Sequence, residues 1–134
     1  MCLTIMPTFN RESAIQKIFG NKGRIVVWKV YRKSQKNKLY PIYCHKRTEI
    51  NAGWIVSNRK DIRLGNKFTI SKGIHVFLNI EEAQDYRSYN EIVVPVYCYK
   101  KDFVAAHIDE KEAVFIKVFL KKEDYTKAIR GCSL

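Results

Sequence analysis

The residues with the clearest chemical character lie between Ile25 and Arg47, in the stretch IVVWKVYRKSQKNKLYPIYCHKR. Seven Lys or Arg fall there from Lys29 onward, with no Asp or Glu, and Trp28, Tyr31, Tyr40 and Tyr43 are interleaved with them. Dense cations attract phosphates and aromatic faces accept stacked bases, so the pattern fits contact with single-stranded nucleic acid. Metal chemistry is less well served. Zinc ligands come in closely spaced pairs, whereas His75, Cys98 and His107 stand apart. Cys44 and His45 are adjacent, so on a strand they point to opposite faces. Nucleophilic chemistry also lacks a setting. Cys98 lies in the apolar run VVPVYCY, where burial disfavours the thiolate. Neither a G-x-S-x-G elbow nor a G-x-x-x-x-G-K-[ST] phosphate loop is present. No metal or cofactor is expected from these residues, and no catalysis.

Charge is unevenly spread along the 134 residues. The formal net charge is +12, and residues 22–72 alone hold fourteen basic side chains against two acidic ones, Glu49 and Asp61. Residues 73–134 are close to balanced, with nine basic and ten acidic. A basic half attracts phosphates or acidic protein surfaces. No apolar run approaches the roughly 20 residues that a membrane-spanning helix needs, so no membrane partner is expected. Cys2, Cys44, Cys98 and Cys132 form no C-x-x-C, and MCLTIMP is too short for the apolar part of a secretory signal. Free thiols in a reducing cytoplasm are the simple reading.

The elements that must position these residues follow from periodicity. RESAIQKIFG predicts a short helix capped by Asn10 and ended by Gly20. Ile25 to Arg32 is β-branched and aromatic, which predicts a strand. Val26, Trp28 and Val30 would share one face; Ile25, Val27, Lys29 and Tyr31 would share the other. SQKNK is a turn, and Leu39 to Cys44 returns as a second strand whose Pro41 suggests an edge. The basic stretch is therefore a β-hairpin with a basic tip. Further strands are expected at 52–58, at 73–78, from Glu91 to Lys100 and from Ala113 to Leu120, with a possible extended piece at 68–71. Residues 59–67, RKDIRLGNK, form a basic loop. NIEEAQDYRSY is a helix capped by Asn79, and KKEDYTKAIRG is a closing helix ended by Gly131. The sum is a single α+β domain over 1–134, mostly antiparallel, with its helices packed on one side. Both tryptophans, Trp28 and Trp54, are read as core.

Two resemblances add expectations. The layout W-K-V-x-R/K … L-Y … G-W … G-I/F-H-x-F-x-x-x-E-x-A … V-x-V, carried here by Trp28, Lys29, Val30, Leu39, Tyr40, Gly53, Trp54, Gly73, Ile74, His75, Phe77, Glu82 and Ala83, resembles small accessory proteins of phages and prophages. That resemblance implies an anti-defence role, including inhibition of an RNA-guided (CRISPR) nuclease. The segment GIHVFLNIEEAQDY and the downstream DEKEAVFIKV resemble parts of the ADP-ribosyltransferase superfamily. That likeness implies NAD as cofactor, with Arg32, Ser71 and Glu112 as the catalytic set and Glu110 as the second acid of the turn.

The expectation carried forward is a non-enzymatic basic protein that binds RNA or a host ribonucleoprotein. The phosphate or acidic-surface contacts would come from Lys29, Arg32, Lys33, Lys36 and Lys38 on the hairpin, from Lys46 and Arg47 beyond it, and from Arg59, Lys60, Arg63 and Lys67. Tyr31, Tyr40 and Tyr43 would stack on bases. Mono-ADP-ribosyl transfer and a purely protein-binding inhibitor are the alternatives.

Overall fold

The computed structural model describes residues 3–4, 10–42, 49–57, 69–70, 73–107 and 111–130. The chain begins with β1 (Leu3–Thr4) and helix α1 (Arg11–Phe19). The Asn10 side chain accepts a hydrogen bond from the Ser13 N–H at 3.0 Å, which satisfies one free donor of the first turn. Gly20, at φ 60°, ends the helix where a side chain would be strained. Strand β2 (Arg24–Lys33) leads through the tip at 34–38 into β3 (Leu39–Pro41). At the tip the Ser34 N–H donates to the Lys38 carbonyl, the Ser34 hydroxyl accepts from the Lys38 N–H, and Asn37 takes φ 58°. Asn tolerates that left-handed backbone, so the tip is built from turn chemistry rather than from packing.

β4 (Gly53–Val56), β5 (Thr69–Ile70), β6 (Ile74–Phe77) and helix α2 (Ile80–Tyr86) follow. Asn79 caps α2 by accepting from the Glu82 N–H at 3.0 Å. Then come β7 (Glu91–Tyr99), one 3-10 turn at Lys100–Asp102, β8 (Phe103–Ala106), β9 (Glu112–Phe115), β10 (Lys117–Leu120) and α3 (Lys122–Ile129).

An eight-stranded antiparallel sheet runs in the order β4-β10-β7-β2-β6-β9-β8, with β3 also paired to β2; β1 and β5 form a separate pair. The α+β single-domain expectation therefore holds. The backbone of the sheet is the β2–β7 ladder, in register from Arg24↔Tyr99 to Arg32↔Glu91.

Three details differ from the sequence expectation. The apolar run from Ala113 to Leu120 is not one strand. It breaks at Ile116, and β9 pairs with β6 and β8 while β10 pairs with β4 and β7. The corner is fixed by distant backbone: the Ile116 N–H donates to the Asp102 carbonyl at 2.9 Å, and its own carbonyl accepts from the Ser57 N–H at 2.8 Å. Three strands lie between β9 and β10 in sheet order although one residue separates them in the chain, so the sheet must curl. β8 is a strand that the short run FVAA did not announce. Finally, the helices are not on one side. Ala14 and Phe19 of α1 and Ala128 of α3 join the large core with Val27, Val76, Val94, Val96, Phe115 and Val118. Ala83 of α2 packs instead with Val30, Phe77 and Val93, against the outer face of the same strands. The alternation of β2, with Val27 and Tyr31 inward and Trp28 and Val30 outward, makes both faces apolar and calls for a cover on each.

Candidate nucleic-acid interface

Along β2 the side chains alternate, so the basic residues of the opening stretch do not share one face. Arg32 points outward and is exposed; Lys33 is half-buried at the strand's end; Lys36 and Lys38 are exposed on the tip. The Arg32 guanidinium lies 5.8 Å from the centre of the half-buried Tyr40 ring, its cross-strand partner. Lys38 sits 3.7 Å from the Glu49 carboxylate, an exposed pair worth little against a phosphate ligand.

The hairpin end opens onto a groove of about 780 Å³ whose lining includes Arg32, Lys33, Gln35, Gln84, Arg87 and Tyr89. The last three were not singled out from the sequence. Arg87 lies just past α2, with its Nε on the Gln84 side-chain oxygen at 3.1 Å and its Nη1 on the Glu91 carbonyl at 3.2 Å. Glu91, the acid of the groove, has its carboxylate engaged by the Ser88 N–H at 2.7 Å. Tyr89 is 92% exposed beside Asn90 at φ 71°. A bare aromatic presented by a tight turn next to three cations has the geometry that base stacking beside phosphate contacts requires. The sequence reading carried the helix on through Arg87, Ser88 and Tyr89, whereas α2 ends at Tyr86 and the chain turns there, so neither the turn nor its place beside the hairpin was legible.

Two predicted contacts are corrected. Tyr31 is 1% exposed and packs in the large core, so it cannot stack on a base. Burial pushes its phenol well above the ordinary range, and the nearby Cys98 thiol adds to the shift. Lys29 shares that inward face. The residue is half-buried; its ammonium lies 5.8 Å from the Tyr31 ring centre, and desolvation lowers its pKa to about 8. It is a desolvated cation on the inward face, poorly placed to contact a phosphate. Trp54 is corrected in the opposite sense: read as core, it is 49% exposed. Trp28 packs against the α2 cluster as expected. Tyr43, Lys46, Arg47, Arg59, Lys60, Arg63 and Lys67 lie outside the described residues, as do Cys44 and His45.

For the alternative catalytic set, Ser71 and Glu110 also lie outside the described residues. Arg32 and Glu112 are not neighbours. Glu112 pairs with Phe77, and Phe77 with Trp28. Two strand spacings and four residues along β2 therefore put the two backbones about 16 Å apart. Cys98 is fully buried, and burial raises its pKa, with the Asp102 charge contributing, so it is a core thiol. Among the described residues no three His, Cys, Asp or Glu side chains gather as metal ligands, and no helix is long and apolar enough to cross a membrane.

Comparison of the chain with protein-family models, with curated proteins and with solved structures finds no match in any of the three.

Proposed function

We propose that this chain is a non-enzymatic RNA-binding protein that grips single-stranded RNA, free or displayed by a host ribonucleoprotein, at the end of its β2–β3 hairpin. One observation carries the reading. Arg32, Lys33, Lys36 and Lys38 converge on one end of the sheet, beside a groove that adds Arg87 and the exposed Tyr89. Of the acids nearby among the described residues, Glu49 makes only a weak exposed pair with Lys38, and the Glu91 carboxylate accepts from the Ser88 N–H. Phosphate contacts of this kind set affinity and carry little sequence preference. The likeness to phage accessory proteins supplies the biological sense: occupation of the RNA-bearing channel of an RNA-guided nuclease, and so its inhibition.

The test is the salt dependence of binding. Each phosphate contact contributes about 0.7 to the log–log slope on single strands. Replacing Lys33, Lys36 and Lys38 together by Gln lowers that slope by roughly 2 if all three contact phosphates. An unchanged slope and affinity would remove the hairpin from the interface.

A further inference from the structure

Among the described residues, α2 covers the outer face of the sheet over Val30, Phe77 and Val93, with Trp28 packed beside them. At the other end of β2 the same face carries a different surface. Register places Trp54, Phe119, Tyr97 and Val26 in one row across β4, β10, β7 and β2. Trp54 and Val26 are exposed, and the two residues between them are half-buried. Tyr99 extends the row, with its ring 5.6 Å from that of Trp54.

Cations sit directly on these rings. Lys117 is 4.5 Å from the Trp54 ring centre, and Arg24 and Lys121 are 4.6 and 4.5 Å from that of Tyr97. A groove of about 630 Å³ beside Tyr97 adds Lys22. Of the four strands, only β7 carries an acid, Glu91, at its far end. Among the described residues, Glu123 and Asp124 on α3 act on Lys121.

A surface that alternates π-faces with positive charge is complementary to a chain that alternates π-faces with negative charge. Single-stranded nucleic acid is that chain: phosphates draw the long cationic side chains off the rings, and bases take the ring faces so released. A row across four strands spans about 14 Å, and open sheets with exposed aromatics accept two or three unstacked bases. We infer that the open face centred on Trp54 and Tyr97 is a base-stacking site for single-stranded RNA, separate from the hairpin groove. The choice of occupant rests on the RNA reading above; the site itself does not depend on the hairpin.

The experiment uses the full chain, a twelve-nucleotide oligouridylate and an abasic ribose-phosphate chain of the same length. Binding is read by anisotropy and by tryptophan fluorescence. Oligouridylate should quench the wild-type protein. Trp54→Leu and Tyr97→Leu, which keep apolar bulk at an exposed and a half-buried position, should each weaken oligouridylate about tenfold or more, the scale of base–aromatic stacking. Both should leave the abasic chain unchanged, and Trp54→Leu should abolish the quench. Full affinity and quench in these variants would overturn the inference. If the hairpin lysine variant loses both chains while the face variants lose neither, the hairpin stands and this face falls. If the face variants lose oligouridylate and the hairpin variant binds normally, the face stands and the hairpin falls. Polyglutamate binding in place of any quench by oligouridylate would give the face to an acidic protein and overturn the inference.

Discussion

At the scale of single residues, Lys29 is the most informative side chain. Its folded pKa of about 8 lies below the ordinary 10.5 because the ammonium is desolvated on the inward face of β2. The unfolded chain holds that proton more tightly, so between pH 8 and 10.5 it binds more protons than the folded one. Stability from this group is therefore lowest below pH 8 and rises as pH increases through that window. Denaturant unfolding of the wild type and of Lys29→Met at pH 8 and pH 9 should show the wild type gaining about 1 kcal/mol relative to the variant. A constant difference would mean that the ammonium is solvated. Cys98 gives a second residue-scale prediction. Buried, with its pKa raised, it should resist a thiol reagent at pH 8 in the native state and react once the chain is unfolded. Native-state labelling of a Cys2, Cys44, Cys132→Ser variant checks this.

Elements come next. Asn10 and Asn79 each accept from the N–H three residues on, and replacing either by Ala should cost about 1 kcal/mol of stability. Phe115 sits at the end of β9, with ring centres 6.2 Å from Phe19 of α1 and 5.6 Å from Phe103 of β8. Phe115→Ala should cost about 3–5 kcal/mol, because three elements lose a shared filler; thermal unfolding measures both. These caps, the hairpin, its tip and the β7 strand were legible in the sequence because their signals are local: Asn at a helix start, a polar turn between β-branched runs, a long apolar strand. The corner at Ile116 was not. AVFIKVFL is apolar nearly throughout, and the break is imposed by hydrogen bonds to Asp102 and Ser57, far away in the chain. The position of α2 on the second face escaped for the same reason, since alternation along β2 shows that two faces are apolar but not which helix covers each. Trp54 was misread because its composition says aromatic strand, and only the bare outer face of β4 and β10 leaves it exposed.

For the whole molecule, the uneven charge of the sequence becomes a spatial arrangement. The basic hairpin and its groove occupy one end of β2, the aromatic and cationic face occupies the other, and α2 lies between them. Six residues along β2, from Val26 to Arg32, put these sites about 20 Å apart. One extended nucleic-acid strand is long enough to contact both. The fold supplies a rigid platform for both sites through the β2–β7 ladder, which runs the full length between them.

The central claim is RNA contact at the hairpin end. Its most direct test is fluorescence anisotropy of the purified chain with a labelled single-stranded RNA of about twenty nucleotides, at low salt and at about 0.15 M, where the Debye length is about 8 Å. Binding should weaken with salt but persist at 0.15 M, and the triple Lys33, Lys36, Lys38→Gln variant should lose it there. Binding that vanishes at 0.15 M in the wild type, or that the triple variant retains in full, would contradict that claim.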